Sequence, residues 1–266
     1  MVYGDLDPEV VQLITEGLMG LKPSEFPEVV VIGPYRFQRL LGRGVLQRTA
    51  RSRGFSVDEV ENYHTRNGKS WMVSSEGART AFFFMSQVGV AFAADTAILL
   101  SAIDPVEEVI FLGSAACLHE QMRSRDFNLP TRCLRTEKVL DDQFPPRVRA
   151  EADRSLRDTL ADHLSAYAER SGSRILDGLH ATVPYVLIET TDFLEDLKAR
   201  GVFTLDMELS VYFTILSNAG KRVAGMIMGG DRPLEKVLIG QKDKRQSREM
   251  GRSLAGAVFD YLSQRQ

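Results

Sequence analysis

Three apolar runs limit what this chain can fold into. Val29-Val30-Val31-Ile32 is an unbroken β-branched stretch stopped by Gly33-Pro34, the pattern of a buried strand entering a turn. Val109-Ile110-Phe111-Leu112 sits in a strand expected over 106–112, and residues 223–228 form a third run ending at Gly229-Gly230. None alternates apolar with polar, so each reads as a strand covered on both faces rather than one side of a solvent-facing sheet. That condition calls for helices above and below.

The segments between these runs supply them. Residues 8–20 read as a short amphipathic helix ending near Gly20. Residues 42–68 are rich in Arg, Gly, Ser and Asn without strong period, and read as loop with weak helix or strand. Strands over 70–74 and 80–85 flank the turn Ser75-Glu76-Gly77. Residues 90–103 are apolar all round and predict a helix covered on both faces. A short strand is expected over 131–135. Pro145-Pro146 breaks the chain before a long, charge-faced helix over 148–170. Residues 174–187 read as strand, with Pro184 at a bulge or edge. Further helices follow over 189–200, closed by Gly201, over 207–218, ending at Gly220, and over 246–264. Strands alternating with helices give an α/β class: a single domain over 1–266, with a mixed central β-sheet flanked by helices on both faces.

A chain of 266 residues accommodates one such domain. Its 44% hydrophobic and 26% charged content is that of an ordinary globular protein. The net charge of −3 offers no basic field for nucleic acid. Cys117 and Cys133 are too few for a zinc site or a disulfide framework, and His64, His119, His163 and His180 show no ligand spacing. No metal and no organic cofactor is expected. The N-terminal segment lacks a signal-type apolar core, and the longest apolar stretch, 88–103, is interrupted by Asp95 and Thr96, too short and polar for a bilayer. A reduced, cytoplasmic setting is expected.

The residues with chemical potential are carboxylates at element mouths. Asp206-Met207-Glu208 opens the 207–218 helix, and Asp231 follows the strand that ends at Gly229-Gly230. Open α/β sheets build their sites at such places. Read by themselves, Glu208 is a first-turn acid favouring the helix dipole and Asp231 a turn residue in Gly-Gly-Asp-Arg-Pro. His180 reads as a satisfied structural histidine.

The order of these pieces resembles the nucleoside phosphorylase/nucleosidase superfamily. There an acidic residue, Met and Glu precede a helix and a strand ending in Ser-Asp; here Glu208 and Asp231 stand 23 residues apart, as in the hexameric bacterial purine phosphorylases. Gly113-Ser114-Ala115-Ala116 after Val109–Leu112 resembles the family's strand and Gly-Ser/Thr-x-Gly loop, and Lys244-Arg245-Gln246-Ser247 its Arg-Gln-Thr segment. The resemblance spans roughly residues 28 to 262 and implies cleavage of an N-glycosidic bond. It implies phosphorolysis to a free base and a pentose 1-phosphate, with phosphate as co-substrate. The alternatives it leaves are hydrolysis, or a nucleoside-binding member without turnover.

By the same resemblance Glu208 and Met207 hold the ribose, and Asp231, partnered by Arg245, protonates the base. Gly33, Arg36 and Ser114 hold phosphate, and Ala115, Tyr185, Val186 and Asp206 line the base. Relatives are dimers, trimers or hexamers, so a homo-oligomer is implied, and Arg48, Arg51 or Arg53 could enter a neighbour's phosphate site. Three departures stand out. Phe111 replaces an Arg that binds phosphate in many phosphorylases, Gly230 replaces the Ser before the acid, and the 180–186 segment fits none of the family versions.

Overall fold

The computed structural model describes residues 6–35, 44–61, 69–236 and 244–265. The strands, in chain order, are β1 (Val29–Pro34), β2 (Ser56–Val60), β3 (Lys69–Ser75), β4 (Ala78–Ser86), β5 (Glu108–Cys117), β6 (Phe127–Asn128), β7 (Arg132–Arg135), β8 (Ala150–Glu151), β9 (Ile175–Leu176), β10 (Leu179–Thr182), β11 (Val202–Asp206) and β12 (Arg222–Gly229). The helices are α1 (Pro8–Met19), α2 (Val45–Arg51), α3 (Val90–Ser101), α4 (Arg154–Ser171), α5 (Thr191–Ala199), α6 (Leu209–Asn218) and α7 (Lys244–Gln264).

All twelve strands join in one mixed sheet, ordered β2-β3-β4-β1-β5-β11-β10-β7-β8, with β12 beside β5, β6 beside β12 and β9 beside β6. The three apolar runs become its centre. β1 and β12 lie parallel to β5, with Val29 and Arg222 both opposite Glu108, and β4 lies parallel to β1. Their side chains alternate between two cores. Val29, Val31, Phe83, Ile110 and Met226 face a layer containing Leu160, Leu254 and Phe259 of α4 and α7. Val30, Ile32, Phe82, Val109, Phe111 and Ile227 face Leu100, Tyr212 and Phe213 of α3 and α6. Burial on both faces is why the runs carry no polar alternation. A third, smaller core joins β10 and β11 to α5 through Ala181, Leu194, Leu197 and Leu205.

β5 changes neighbours along its length. The β1 ladder ends at Phe111, and antiparallel β11 joins at Ala116 and Cys117. Between them, residues 112–115 have, among the described residues, a ladder partner on β12 alone. In an open α/β sheet, such a change of neighbour at the carboxyl ends of the parallel strands is where a crevice is expected.

Most expected elements form where the pattern placed them, and four differ. The long helix starts at Arg154, not 148. Asp153 caps it by accepting the Leu156 N–H at 2.8 Å, and the preceding Ala150 is drawn into the core on β8, opposite Cys133. The 174–187 strand breaks into β9, β10 and a single 3-10 turn, Val186–Ile188. Gly178 sits at the first break, where an added Cβ would come within 2.2 Å of the Phe203 ring. Helix α3 is covered on one side only: Ala93, Ala97 and Leu100 are buried, while Ala91, Phe92 and Asp95 face outward. The 42–68 segment contains a formed helix and strand, α2 and β2, among its described residues. No helix among the described residues is long and apolar enough to cross a membrane.

Candidate active site

Five strand ends meet at the crevice. Gly33 closes β1 opposite Met85, and Pro34 lies opposite Ser86 at the end of β4. Gly33 must be glycine: a Cβ there would stand 2.5 Å from the Leu112 carbonyl oxygen of β5. On β5, Ser114 is exposed between buried neighbours, opposite Met228 of β12. β12 runs on into Gly230, whose N–H donates to the Ala115 carbonyl at 2.6 Å, and into Asp231, whose carbonyl accepts the Cys117 N–H at 2.8 Å. The fifth end is that of β11, with Asp206, Met207 and Glu208.

Glu208 is buried, although it is a carboxylate at a loop-to-helix junction. Its Oε1 accepts the Gly89 N–H at 2.7 Å. Gly89 begins α3 at φ +117°, so the acid sits against a helix N-terminus, where the dipole favours negative charge. Met207 lies beside it, its Cε 3.7 Å from the place a Gly89 Cβ would occupy. The Tyr212 phenol is the next neighbour. It bonds Ser86 and Thr96, and burial, then the Glu208 charge, push its pKa well up.

Asp206 is also buried. Its Oδ1 accepts the Thr182 hydroxyl at 2.9 Å and the backbone N–H groups of Glu208 at 3.1 Å and Leu209 at 3.2 Å. His180 Nε2 lies 2.9 Å from the same oxygen. Burial raises the Asp206 pKa, but His180 and the two backbone donors hold it below the ordinary carboxylate range. Its carboxylate is thus occupied by the protein.

Asp231 is half-buried and influences Glu189, which sequence patterning did not single out. Glu189 sits between the 186–188 turn and α5, next in the chain to Ile188. Burial and the Asp231 charge raise its pKa from 4.5 to about 7. Glu189 escaped the sequence reading because a Glu one residue before a Thr N-cap carries no local signal.

The remaining expected residues are scattered. Tyr185, Val186 and Leu187 protrude, with relative exposures of 54%, 57% and 90%. Ala115 is buried in the α3/α6 core, so its side chain does not face the crevice. Arg245 is exposed in the first turn of α7, and Arg36 lies outside the described residues. Arg53 is engaged within the chain by Asp260 and the Tyr167 hydroxyl. Phe111 is fully buried against Tyr212, ring centroids 5.4 Å apart, so position 111 belongs to the core rather than to an anion site. The loop Gln87-Val88-Gly89 was not anticipated either. Gly89 by itself is a weak signal, and its partner lies 119 residues away. Among the described residues no three His, Cys, Asp or Glu side chains are grouped to hold a metal ion.

Comparison with known proteins identifies the fold and the family. The family model described as "Phosphorylase superfamily" matches residues 41–261. No curated protein matches the chain by sequence. Among solved structures, an AMP nucleosidase from Bacteroides thetaiotaomicron VPI-5482 superposes with a TM-score of 0.65 at 21% identity, covering 84% of this chain and 89% of that one. Purine nucleoside phosphorylase from Toxoplasma gondii gives 0.71 at 15%, covering 92% and 95%. Uridine phosphorylase from Vibrio fischeri ES114 gives 0.69 at 15%, covering 91% and 94%.

Proposed function

The chain belongs to the phosphorylase superfamily, and from that premise we propose that it cleaves the N-glycosidic bond of a nucleoside by phosphorolysis, releasing free base and pentose 1-phosphate. The observation that carries the reading is Glu208, a buried carboxylate held on the Gly89 N–H at the crevice. Burial of an acid is unfavourable unless its charge is used and satisfied, and a fixed carboxylate accepts hydrogen bonds from ribose hydroxyls. As the C1′–N bond breaks, positive charge grows on the sugar ring and negative charge on the base, and the site must meet both. Glu208, with Met207 packed on the sugar, meets the first.

A proton delivered from the Asp231 side meets the second. Glu189 supports this, because two adjacent acids that retain a proton near neutrality form a suitable donor. Phosphate oxygen attacks C1′ from the side of Ser114 and Gly33, whose hydroxyl and backbone N–H are anion donors. Arg36 and Arg245 remain the proposed cationic contributors, and Tyr185 and Val186 the base contacts. A homo-oligomer in the cytoplasm is the proposed working form.

Hydrolysis at the same site is the second reading, and Phe111 favours it. Packed on Tyr212 in the core, it supplies no bidentate anion contact, and water would then replace phosphate. The deciding experiment measures base release from purine and pyrimidine nucleosides, with and without phosphate, in wild type and Asp231→Asn. Phosphate-dependent release lost in the variant supports phosphorolysis. Phosphate-independent release moves the assignment to hydrolysis. Tight binding without release leaves a nucleoside-binding protein, and neither release nor binding refutes the proposal.

A further inference from the structure

Helix α6 begins immediately after Glu208, and its first N–H groups have no partner within the helix. Side chains from two neighbouring strands take them. Asp206 accepts from Glu208 and Leu209, and Thr182 accepts the Ser210 N–H at 2.8 Å while donating to Asp206 at 2.9 Å. On the other side, the Ser210 hydroxyl donates to Glu137 at 3.0 Å. The backbone turn that presents Glu208 is therefore fixed mainly by one carboxylate, that of Asp206.

Against Asp206, beside these donors, stands His180. This imidazole is completely buried in the middle of the sheet. Its Nε2 stands 2.9 Å from Asp206 Oδ1. Its Nδ1 is 2.8 Å from the Thr204 hydroxyl. That hydroxyl in turn accepts from Asn128 Nδ2 at 2.7 Å, and Asn128 is pinned by the Gly178 N–H and carbonyl at 2.8 and 3.0 Å. The chain of contacts thus runs from the sheet interior, Asn128 to Thr204 to His180 to Asp206, and ends at the turn carrying Glu208. A histidine serving only to fill the core would be served equally well by an apolar side chain, without a buried polar ring to satisfy.

We propose that His180 is a positioning residue: acting through Asp206, it fixes the turn that sets the Glu208 carboxylate. The role in turnover rests on the reading that Glu208 holds the sugar, whereas the mechanical role does not.

Two polar replacements separate the two ends of the ring. In His180→Gln the amide nitrogen takes the place of Nε2 and can still reach Asp206. In His180→Asn it takes the place of Nδ1, reaching Thr204 and leaving Asp206 without its neighbour. Amide hydrogen exchange is measured first, because it needs no substrate. Exchange in residues 206–210 is expected to accelerate about tenfold or more in His180→Asn and to stay near wild type in His180→Gln. Kinetics follow on whichever nucleoside is cleaved. A carboxylate displaced by a fraction of an ångström lowers kcat/KM about tenfold or more in His180→Asn, with KM for phosphate unchanged. In a Glu208→Gln background the same substitution has little further effect, because both act through one group.

Equal exchange in the two variants, or acceleration spread over the whole sheet, overturns the proposal. So does additive loss in the Glu208→Gln background. Accelerated exchange at 206–210 in a protein that cleaves no nucleoside upholds the positioning role and refutes the functional reading instead. Should His180→Asn fail to fold, Asp206→Asn tests the same link, since it leaves His180 and Thr204 in place: unchanged exchange at 206–210 there also overturns the proposal.

Discussion

Replacing Glu189 with Gln should make the protein more stable at alkaline pH and leave it unchanged in acid. The carboxyl titrates near pH 7 in the folded chain against an ordinary value of 4.5, because burial and the Asp231 charge both oppose its ionisation. Its folded-state pKa is raised. Its contribution to stability is therefore full below about pH 4.5 and is lost as pH rises through about 7. The linkage is worth up to about 3.4 kcal/mol. Glu189 is only half-buried and solvent screens part of that, so about 1–2 kcal/mol is the better figure. Gln is neutral at every pH and never incurs the loss. Melting temperatures of wild type and Glu189→Gln, taken at pH 5 and pH 8.5, test this directly. At pH 8.5 the variant should melt about 2–5 °C higher, and at pH 5 most of that difference should be gone. An equal shift at both values, or a lower melting point at pH 8.5, would refute the reasoning that the two carboxylates repel. If the pair also delivers the proton to the base, the same variant shifts the alkaline limb of the base-release profile.

Glu208→Gln preserves an acceptor for the Gly89 N–H but removes the charge, so base release should fall about 10²–10³-fold while the melting temperature changes little. Gly89→Ala forces an L-residue to φ +117°, which should destabilise by about 1–3 kcal/mol and weaken nucleoside binding; unfolding in denaturant and KM report the two effects. Asp126 is buried on β6's approach and grips Arg123 and Arg174. Burial opposes its ionisation, but these guanidinium groups and two backbone N–H donors hold its pKa well below the usual range. Its contribution is present above about pH 4 and lost as pH falls further, so Asp126→Asn should lower the melting point at pH 7 and narrow the gap to wild type at pH 3.

The central sheet was legible because burial on both faces leaves its mark in consecutive residues. Val29 to Ile32 divides two by two between opposite cores, and no other environment demands four β-branched residues in a row. Helices ending in Gly20 and Gly201 were legible for the same local reason, since each glycine takes a positive φ at the terminus. The 174–187 segment was misread because it breaks beside Gly178, where the ring of Phe203 from a different strand leaves no room for a side chain. Asp206 was expected to face the base, yet its carboxylate is surrounded by Thr182, His180 and the α6 N-terminus. Strand periodicity gives the side of the sheet a residue faces, but not which neighbours have claimed its polar atoms. Glu189 and Gly89 acquire meaning only from Asp231 and Glu208, far away in the chain, and local patterning holds no record of such pairings.

The change of neighbours along β5 bears on where a strand from another molecule could pair with this sheet. A sheet edge usually invites pairing with another strand, and proteins guard such edges with charge, proline or a covering element. Among the described residues, 112–115 lack a ladder partner on the β1 side, yet the gap lies inside the sheet, bounded by β1 at one end and β11 at the other. Four residues between two fixed neighbours are too few for an intruding strand to dock. The backbone there can be open enough to greet a small molecule while remaining closed to aggregation.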